Sequence, residues 1–371
     1  MIIRPLEGKD IPEVAALYQR IIRRGTGPAP AGLESEFRKL FIEAPVCAAD
    51  LPSLVLEAGG EVAGFQGVQV REFEFDGVRR RLASVGPVFV VPELRTKAAG
   101  AQLIKAAVQA GQELTLSDGA GAGVSKLWEL LGGKVAVPQS IEWTISLRPA
   151  RAATKSLARR RRRAFRFLAR ALHPLAVVVD RLADGRWNKA LHRPPVPLPE
   201  ATPLSAGRFA ELAATVDTGV RLRMVYSPEL VDWIFRQLTA YSYFGEAVAC
   251  EVKDSRGVIG WFIGQARPDG VFQVLDLQAV PRSLPRVFAA LMAEAARRDV
   301  HAVSGRIDGR VADVLASYRS RISFGHRVLV HSGNKEILDA VLTLDNNISR
   351  IEGEWLMGIR FEPFEEAPGN N

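Results

Sequence analysis

Between Val85 and Val108 the sequence reads VGPVFVVPELRTKAAGAQLIKAAV, an apolar β-rich run, a basic turn of small residues and a helical pattern that could be an ordinary strand-to-helix connection packed on small side chains or a ligand-binding turn. The run Val88-Phe89-Val90-Val91 is β-branched and short, which favours a strand, and Pro92 removes a donor and ends the ladder. Beyond it Ala98, Ala101, Leu103, Ile104, Ala107 and Val108 recur at helical spacing. Strand, turn and helix therefore meet at Arg95-Thr96-Lys97-Ala98-Ala99-Gly100, where small side chains let a ligand approach the backbone. A helix start offers unpaired amide donors and a partial positive charge, which together suit a pyrophosphate.

This turn resembles motif A of the GNAT acyltransferase superfamily, whose signature is Arg or Gln, two residues, Gly, one residue, then Gly or Ala. Here the matching positions are Arg95, Ala98 and Gly100, with alanine in place of the first glycine. The resemblance implies an acetyl-CoA or other acyl-CoA co-substrate. Val90, Val91, Arg95, Thr96, Lys97, Ala98, Ala99 and Gly100 would hold its pantetheine and pyrophosphate. It further implies acyl transfer to an amine, with no metal.

The order of elements around the turn agrees. Ile2-Ile3-Arg4 reads as a strand, and Ile11, Val14, Leu17, Tyr18, Ile21 and Ile22 form a helical stripe after Asp10. A second amphipathic helix carries Phe37, Leu40 and Phe41. Gly59-Gly60 and Asp76-Gly77 then punctuate three antiparallel strands that lead into the opening stretch. Leu114-Thr115-Leu116 is a further strand, and Val135 to Val137 and Ile141 to Leu147 are expected to complete a domain over residues 1–150. In the segment Leu127 to Gly133 the family often places a tyrosine that protonates the departing thiolate. This chain has Trp128 there, and an indole cannot deliver a proton at neutral pH, so Trp128 is expected to pack against the CoA arm or the core.

Residues 151–203 interrupt this pattern. Arg159 to Arg163 is an unbroken arginine run, and Phe165, Leu168, Leu172, Leu175, Ala176 and Val179 follow on one helical face. Two readings stand. One is a solvated linker helix, and the other is a helix lying on an anionic membrane surface through residues 157–179. Five adjacent arginines without a recognisable reading module do not support a nucleic-acid partner. A proline-rich connector follows over His192 to Pro203.

From Leu204 onward the grammar of the first part returns, with helices at Ser205 to Val216 and after Ser227-Pro228 and strands at Ala247 to Val252, Val258 to Ile263 and Val271 to Val280. At the position of motif A stands Pro281-Arg282-Ser283-Leu284-Pro285-Arg286, without glycine and with Pro285 removing an amide donor. The expected fold is therefore α/β with mixed sheets: two tandem GNAT-like domains, the second (204–371) degenerate, on the acceptor side and without a phosphate cradle.

The chain of 371 residues is long enough for two cores, and its +8 charge is concentrated in the arginine run. Two distant cysteines, Cys47 and Cys250, form no disulfide framework or zinc spacing, and the start has no signal pattern. A cytoplasmic protein, at most peripheral at the inner membrane face, is expected. Glu72, Glu74 and Asp118 are the candidate bases, each able to accept a proton through water, although exposed strand carboxylates are also ordinary solvated faces; Ser84 is a candidate acceptor contact. Tandem arrangements of this kind occur in mycothiol synthase-like and Fem-type enzymes, and the closing Ile351-Glu352-Gly353-Glu354-Trp355-Leu356 resembles bacterial polysaccharide- and envelope-associated acetyltransferases. An amino-sugar or envelope-precursor acceptor is expected on that basis. The alternatives are a Fem-like transferase using aminoacyl-tRNA and a non-catalytic binding protein of the same fold.

Overall fold

The computed structural model describes residues 1–158, 163–191 and 198–357. Arginines 159–162 and the first part of the expected proline-rich connector lie outside the described residues. Strand β1 (Ile2–Pro5) leads into helices α1 (Ile11–Ile21) and α2 (Ala31–Arg38). Their apolar stripes enter a core in which Tyr18 meets Phe37 and Phe89 edge-on at 5.2 and 5.6 Å. Strands β2 (Leu54–Ala58), β3 (Glu61–Phe75) and β4 (Val78–Val90) form a meander. Its two turns, Gly59-Gly60 and Asp76-Gly77, place both central residues at positive φ, as a tight hairpin between twisted strands requires.

Helices α3 (Pro92–Arg95) and α4 (Ala99–Val108), strand β5 (Leu114–Ala120), helix α5 (Ala122–Leu130) and strand β6 (Lys134–Val135) follow. Strand β7 (Ile141–Ser146) precedes the helical hairpin of α6 (Pro149–Ala158) and α7 (Arg163–Leu191). The later part comprises β8 (Glu200–Pro203), α8 (Ala206–Thr215), β9 (Leu222–Val225), α9 (Pro228–Ala240), β10 (Glu246–Asp254), β11 (Gly257–Ala266) and β12 (Val271–Ala279). It closes with α10 (Leu284–Arg297), β13 (Ala302–Arg306), α11 (Val311–Leu315), β14 (Ser320–Phe324), β15 (Arg327–His331), α12 (Lys335–Leu342) and two short turns at Arg350–Glu352 and Glu354–Met357.

The strands form two mixed sheets, β1-β2-β3-β4-β5-β15-β6 with β9 also on β3, and β14-β7-β13-β12-β11-β10-β8. Here the structure corrects one expectation. Ile141 to Leu147 does not complete the first sheet, because β7 leaves it and pairs with β13 and β14 in the second. The place beside β5 is taken by β15, from just over two hundred residues further along the chain. The reason lies in which faces are buried. Val328, Leu329 and Val330 are buried in succession, as in a strand covered on both sides, whereas Trp143 and Ile145 point into the second core against Phe288. The Trp143 indole N–H also donates to Arg306 O at 3.0 Å. A strand's pattern specifies its pleat and says nothing about its partner.

Strands β4 and β5 are parallel neighbours only over Leu82–Leu114, Ala83–Thr115 and Ser84–Leu116. Beyond those rungs they diverge and leave a wedge. At its apex one extra residue in β4 shifts the register with β3, between Gln66–Val88 and Val68–Val85, and a bulge of this kind re-aims the strand. Among the described residues no helix is long and apolar enough to cross a membrane.

Candidate functional site

The turn after β4 ends at a helix start. Helix α4 opens at Ala99, and its buried stripe of Leu103, Ile104, Ala107 and Val108 holds it against β3 and β4. Each of the larger side chains contributes roughly 1.5–3 kcal/mol on burial. Ala98 precedes α4 in the left-handed region, at φ 56°, a conformation that costs a non-glycine residue about 1–2 kcal/mol. The amides of Lys97 and Ala98 donate to Leu94 O and Arg95 O at 3.1 and 3.3 Å, and Val91 N–H donates to Ala63 O at 2.9 Å. The first amides of α4, those of Ala99, Gly100 and Ala101, have no carbonyl within the helix to bond. Arg95, Thr96 and Lys97 are exposed around them. The Val91 bond also fixes the parity of β4. Alternate residues, Val90 and Val88, turn their main-chain groups toward the side β5 has vacated.

The wedge opens into a cavity of about 470 Å³, within the range of small-ligand sites. Val85 to Val88, Ile104, Ser117 to Gly121 and Trp128 line its first-sheet side. Glu142, Arg267, Gln273, Arg350 and Trp355 line the other. The turn itself lies outside the cavity, where β4 continues beyond Val88.

Glu354 sits at the apex. Its Oε1 accepts hydrogen bonds from Ser117 Oγ at 2.9 Å and Gly119 N at 3.1 Å, and its own amide donates to Asp118 Oδ1 at 2.7 Å. Glycine on both flanks leaves room for this carboxylate. A Cβ at Gly86 would overlap the Glu354 carboxyl carbon, and one at Gly119 would come within 2.8 Å of Oε2. Burial, reinforced by the adjacent Asp118 carboxylate, pushes the Glu354 carboxyl up to about 7. A carboxylate poised near neutrality in a cleft is suited to take and return a proton.

Both sheets contribute to fixing this group. Arg306 of β13 reaches across to Asp118 at 3.1 Å and is held by Asp308 at 2.9 Å. Burial works against the Arg306 charge, but the two carboxylates outweigh it and raise its pKa. Glu142 of β7 accepts from Arg350 at 2.6 Å, and the Arg350 guanidinium lies 5.7 Å from the Trp355 ring centroid. Trp355 is stacked on Phe244 at 4.6 Å and donates to Gln265 Oε1 at 2.8 Å. Its orientation is therefore fixed from two directions.

Of the residues singled out from sequence, Asp118 and Trp128 line the cavity. Trp128 is buried among Val68, Ile104, Val108 and Leu329, so it is a core residue whose ring forms part of the cavity wall. Glu72 and Glu74 stand at the hairpin end of β3, where Glu72 faces Arg79 at 3.5 Å and Glu74 is opposite Arg223 of β9; neither lines the cavity. Ser84 is fully buried opposite Gln69. Sequence reasoning missed Glu354, Arg306, Glu142 and Arg350. The available signal was Glu352-Gly353-Glu354, two carboxylates set in an apolar stretch. Among the described residues no group of three His, Cys, Asp or Glu is placed to hold a metal ion.

No protein-family profile and no curated protein sequence matches the chain. Solved structures do. A GCN5-related N-acetyltransferase from Anabaena variabilis superposes with a TM-score of 0.56 at 14% identity, over 90% of this chain and 73% of that one. One from Kribbella flavida gives 0.52 at 15%, over 89% and 71%. Eis1 from Mycobacterium abscessus gives 0.52 at 12%, over 92% and 76%. With the splayed parallel pair, the left-handed turn and the helix that follows it, the chain has the fold of the GCN5-related N-acetyltransferases.

Proposed function

We propose that the protein is an acyl-CoA-dependent N-acyltransferase with one active site, in which Glu354 is the general base. The observation that carries this reading is the position of the Glu354 carboxylate at the apex of the β4–β5 wedge, between Gly86 and Gly119. A thioester whose pyrophosphate rests at Ala99 to Ala101 would run along β4, and its carbonyl would meet the inward main chain of Val88 and Val90. An acceptor amine entering from the Glu142, Trp355 and Gln273 side attacks that carbon. As the C–N bond forms, Glu354 takes the amine proton. As the C–S bond breaks, the departing thiolate takes that proton from the Glu354 carboxyl. The products are an amide and free thiol, and the base returns to its starting state. Trp128 has no part in this proton transfer.

The second sheet lacks a cradle of its own. Its corresponding turn, left-handed at Arg282 (φ 69°), has no glycine, and Pro285 removes an amide donor from the first turn of α10. It is assigned the acceptor side, where a fixed indole face, the Glu142 carboxylate, a glutamine and arginines suit a hydroxyl-rich amine such as an amino sugar or an envelope-glycan precursor. Calorimetry with acetyl-CoA, followed by thiol release across amino sugars, polyamines and peptide amines, tests both levels. Absence of acetyl-CoA binding at near-millimolar ligand refutes the donor assignment. Turnover of polyamines alone refutes the acceptor class and leaves the donor intact.

A further inference from the structure

Helix α7 leaves an apolar face uncovered. Phe167 and Leu182 are 78% and 83% exposed, and Leu168, Leu172, Leu175 and Val178 between them are exposed as well. At 100° per residue these six side chains fall within an arc of about 140°. The opposite side of α7 is anchored. Ala169, Ala176 and Asp180 are buried, and the Asp180 carboxylate accepts from the amides of Ala150 and Arg151 at 3.0 and 2.9 Å, capping the start of α6. Arg151 in turn makes a two-pronged contact with Asp299, at 2.9 Å on each prong, beyond the end of α10. The hairpin is thus fixed to the second sheet's helix layer with its apolar arc turned outward. Arg170 and Arg181, both exposed, flank one border of that arc.

We infer that this face of α7 docks the protein onto an anionic lipid surface, with the apolar arc in the acyl boundary and the arginines among the headgroups. Charge selects the occupant. From 151 to 182 the sequence carries ten Lys or Arg against the single acid Asp180, and Asp180 is turned inward. A second copy would bring the same positive field and be repelled, whereas phosphatidylglycerol headgroups complement it. An apolar face on a helix with a basic border is the form an interfacial helix takes, and α7 spans about 43 Å at 1.5 Å per residue, long enough to lie flat.

The test is sedimentation of the full chain with vesicles of phosphatidylcholine alone or mixed with phosphatidylglycerol. The wild type should pellet with the anionic vesicles, less so as salt rises, and remain in solution with the neutral ones. Leu175→Glu with Leu182→Glu should abolish pelleting with an unchanged melting temperature, since both side chains are exposed. Arg170→Gln with Arg181→Gln should weaken partitioning roughly thirtyfold at low salt. Equal pelleting with both lipids, or none with either, overturns the proposal. So does a wild-type dimer that Leu175→Glu dissociates, because the face would then belong to a second copy. Should the double glutamate variant melt early, Leu175→Ser with Leu182→Ser gives the same readout, and undiminished binding by that variant also overturns the proposal.

Discussion

Replacing Glu354 by Gln separates the chemical role of this side chain from its structural one. The amide keeps an oxygen to accept from Ser117 and Gly119, so the wedge should hold its shape, while the capacity to take a proton is lost. Removal of a positioned general base costs about 10²–10⁴-fold in turnover. Acetyl-CoA affinity should not change, because the cradle is elsewhere. The wild-type pH–rate profile should rise to a plateau with a midpoint near the value of about 7 to which burial pushes this carboxyl, and the variant should lose that limb. Stability gives a second readout with a definite sign. A carboxyl whose folded pKa lies above its unfolded value of 4.5 keeps its proton longer in the folded state. Stability is therefore lost as pH rises from about 4.5 to 7. At about 1.4 kcal/mol per pH unit the displacement amounts to a few kcal/mol at most. Glu354→Gln should accordingly melt higher than wild type at pH 8 and equally at pH 4.5. Turnover within threefold of wild type, with the ascending limb intact, would refute the assignment.

Other perturbations read other parts of the site. Ala98→Gly relieves a left-handed alanine and should raise the melting temperature by an amount corresponding to a gain of up to about 1 kcal/mol, with acyl-CoA binding by calorimetry equal or tighter. Arg306→Ala leaves Asp118 and Asp308 buried without their cation, and chemical denaturation should show a loss of about 3–5 kcal/mol. Asp276, pushed up to about 7 by burial with Glu352 adding to the effect, accepts from the Trp261 indole at 2.7 Å. Asp276→Asn removes the charge and keeps the acceptor for Trp261 but loses the one that takes Gln278 Nε2 at 2.9 Å, so its stability relative to wild type should be higher at pH 8 than at pH 4. Arg95→Glu sets a negative charge beside the cradle and should weaken acetyl-CoA binding at low salt without moving the melting temperature.

The legible part of the molecule was the part governed by local rules. Period-2 and period-3.6 patterns, glycine pairs at hairpins and Ser227-Pro228 at a helix start are decided within a few residues, and the strands and helices around Val85 to Val108 fall where those rules put them. Pairing over long distances is decided by shape, and nothing in Ile141 to Leu147 announces that Trp143 fits beneath Phe288 and not beside Leu116. The site suffered for the same reason. Glu72 and Glu74 drew attention because they alternate on a strand near the motif, yet that strand carries them to the hairpin end. Glu354 belongs to no periodic element. It reaches the apex only because the chain returns from the second sheet, and its meaning depends on Gly86 and Gly119 leaving room for a carboxylate, which is a fact about three distant positions together. Alanine at 98 blurred the motif without abolishing it, since the turn it occupies is the one glycine would adopt.

The exchange of β7 for β15 has a consequence for synthesis on the ribosome. When β6 has emerged, β5 still lacks its neighbour, because β15 follows nearly two hundred residues later. At 5–20 residues per second that interval lasts about 10–40 s, during which β5 presents an open edge and half-covered apolar faces. The first 150 residues are thus expected to leave their sheet incomplete until β15 arrives. A fragment ending at residue 150 should aggregate when expressed alone and be rescued by co-expression of the remainder; a soluble, cooperatively melting fragment would show that β5 does not depend on its late partner.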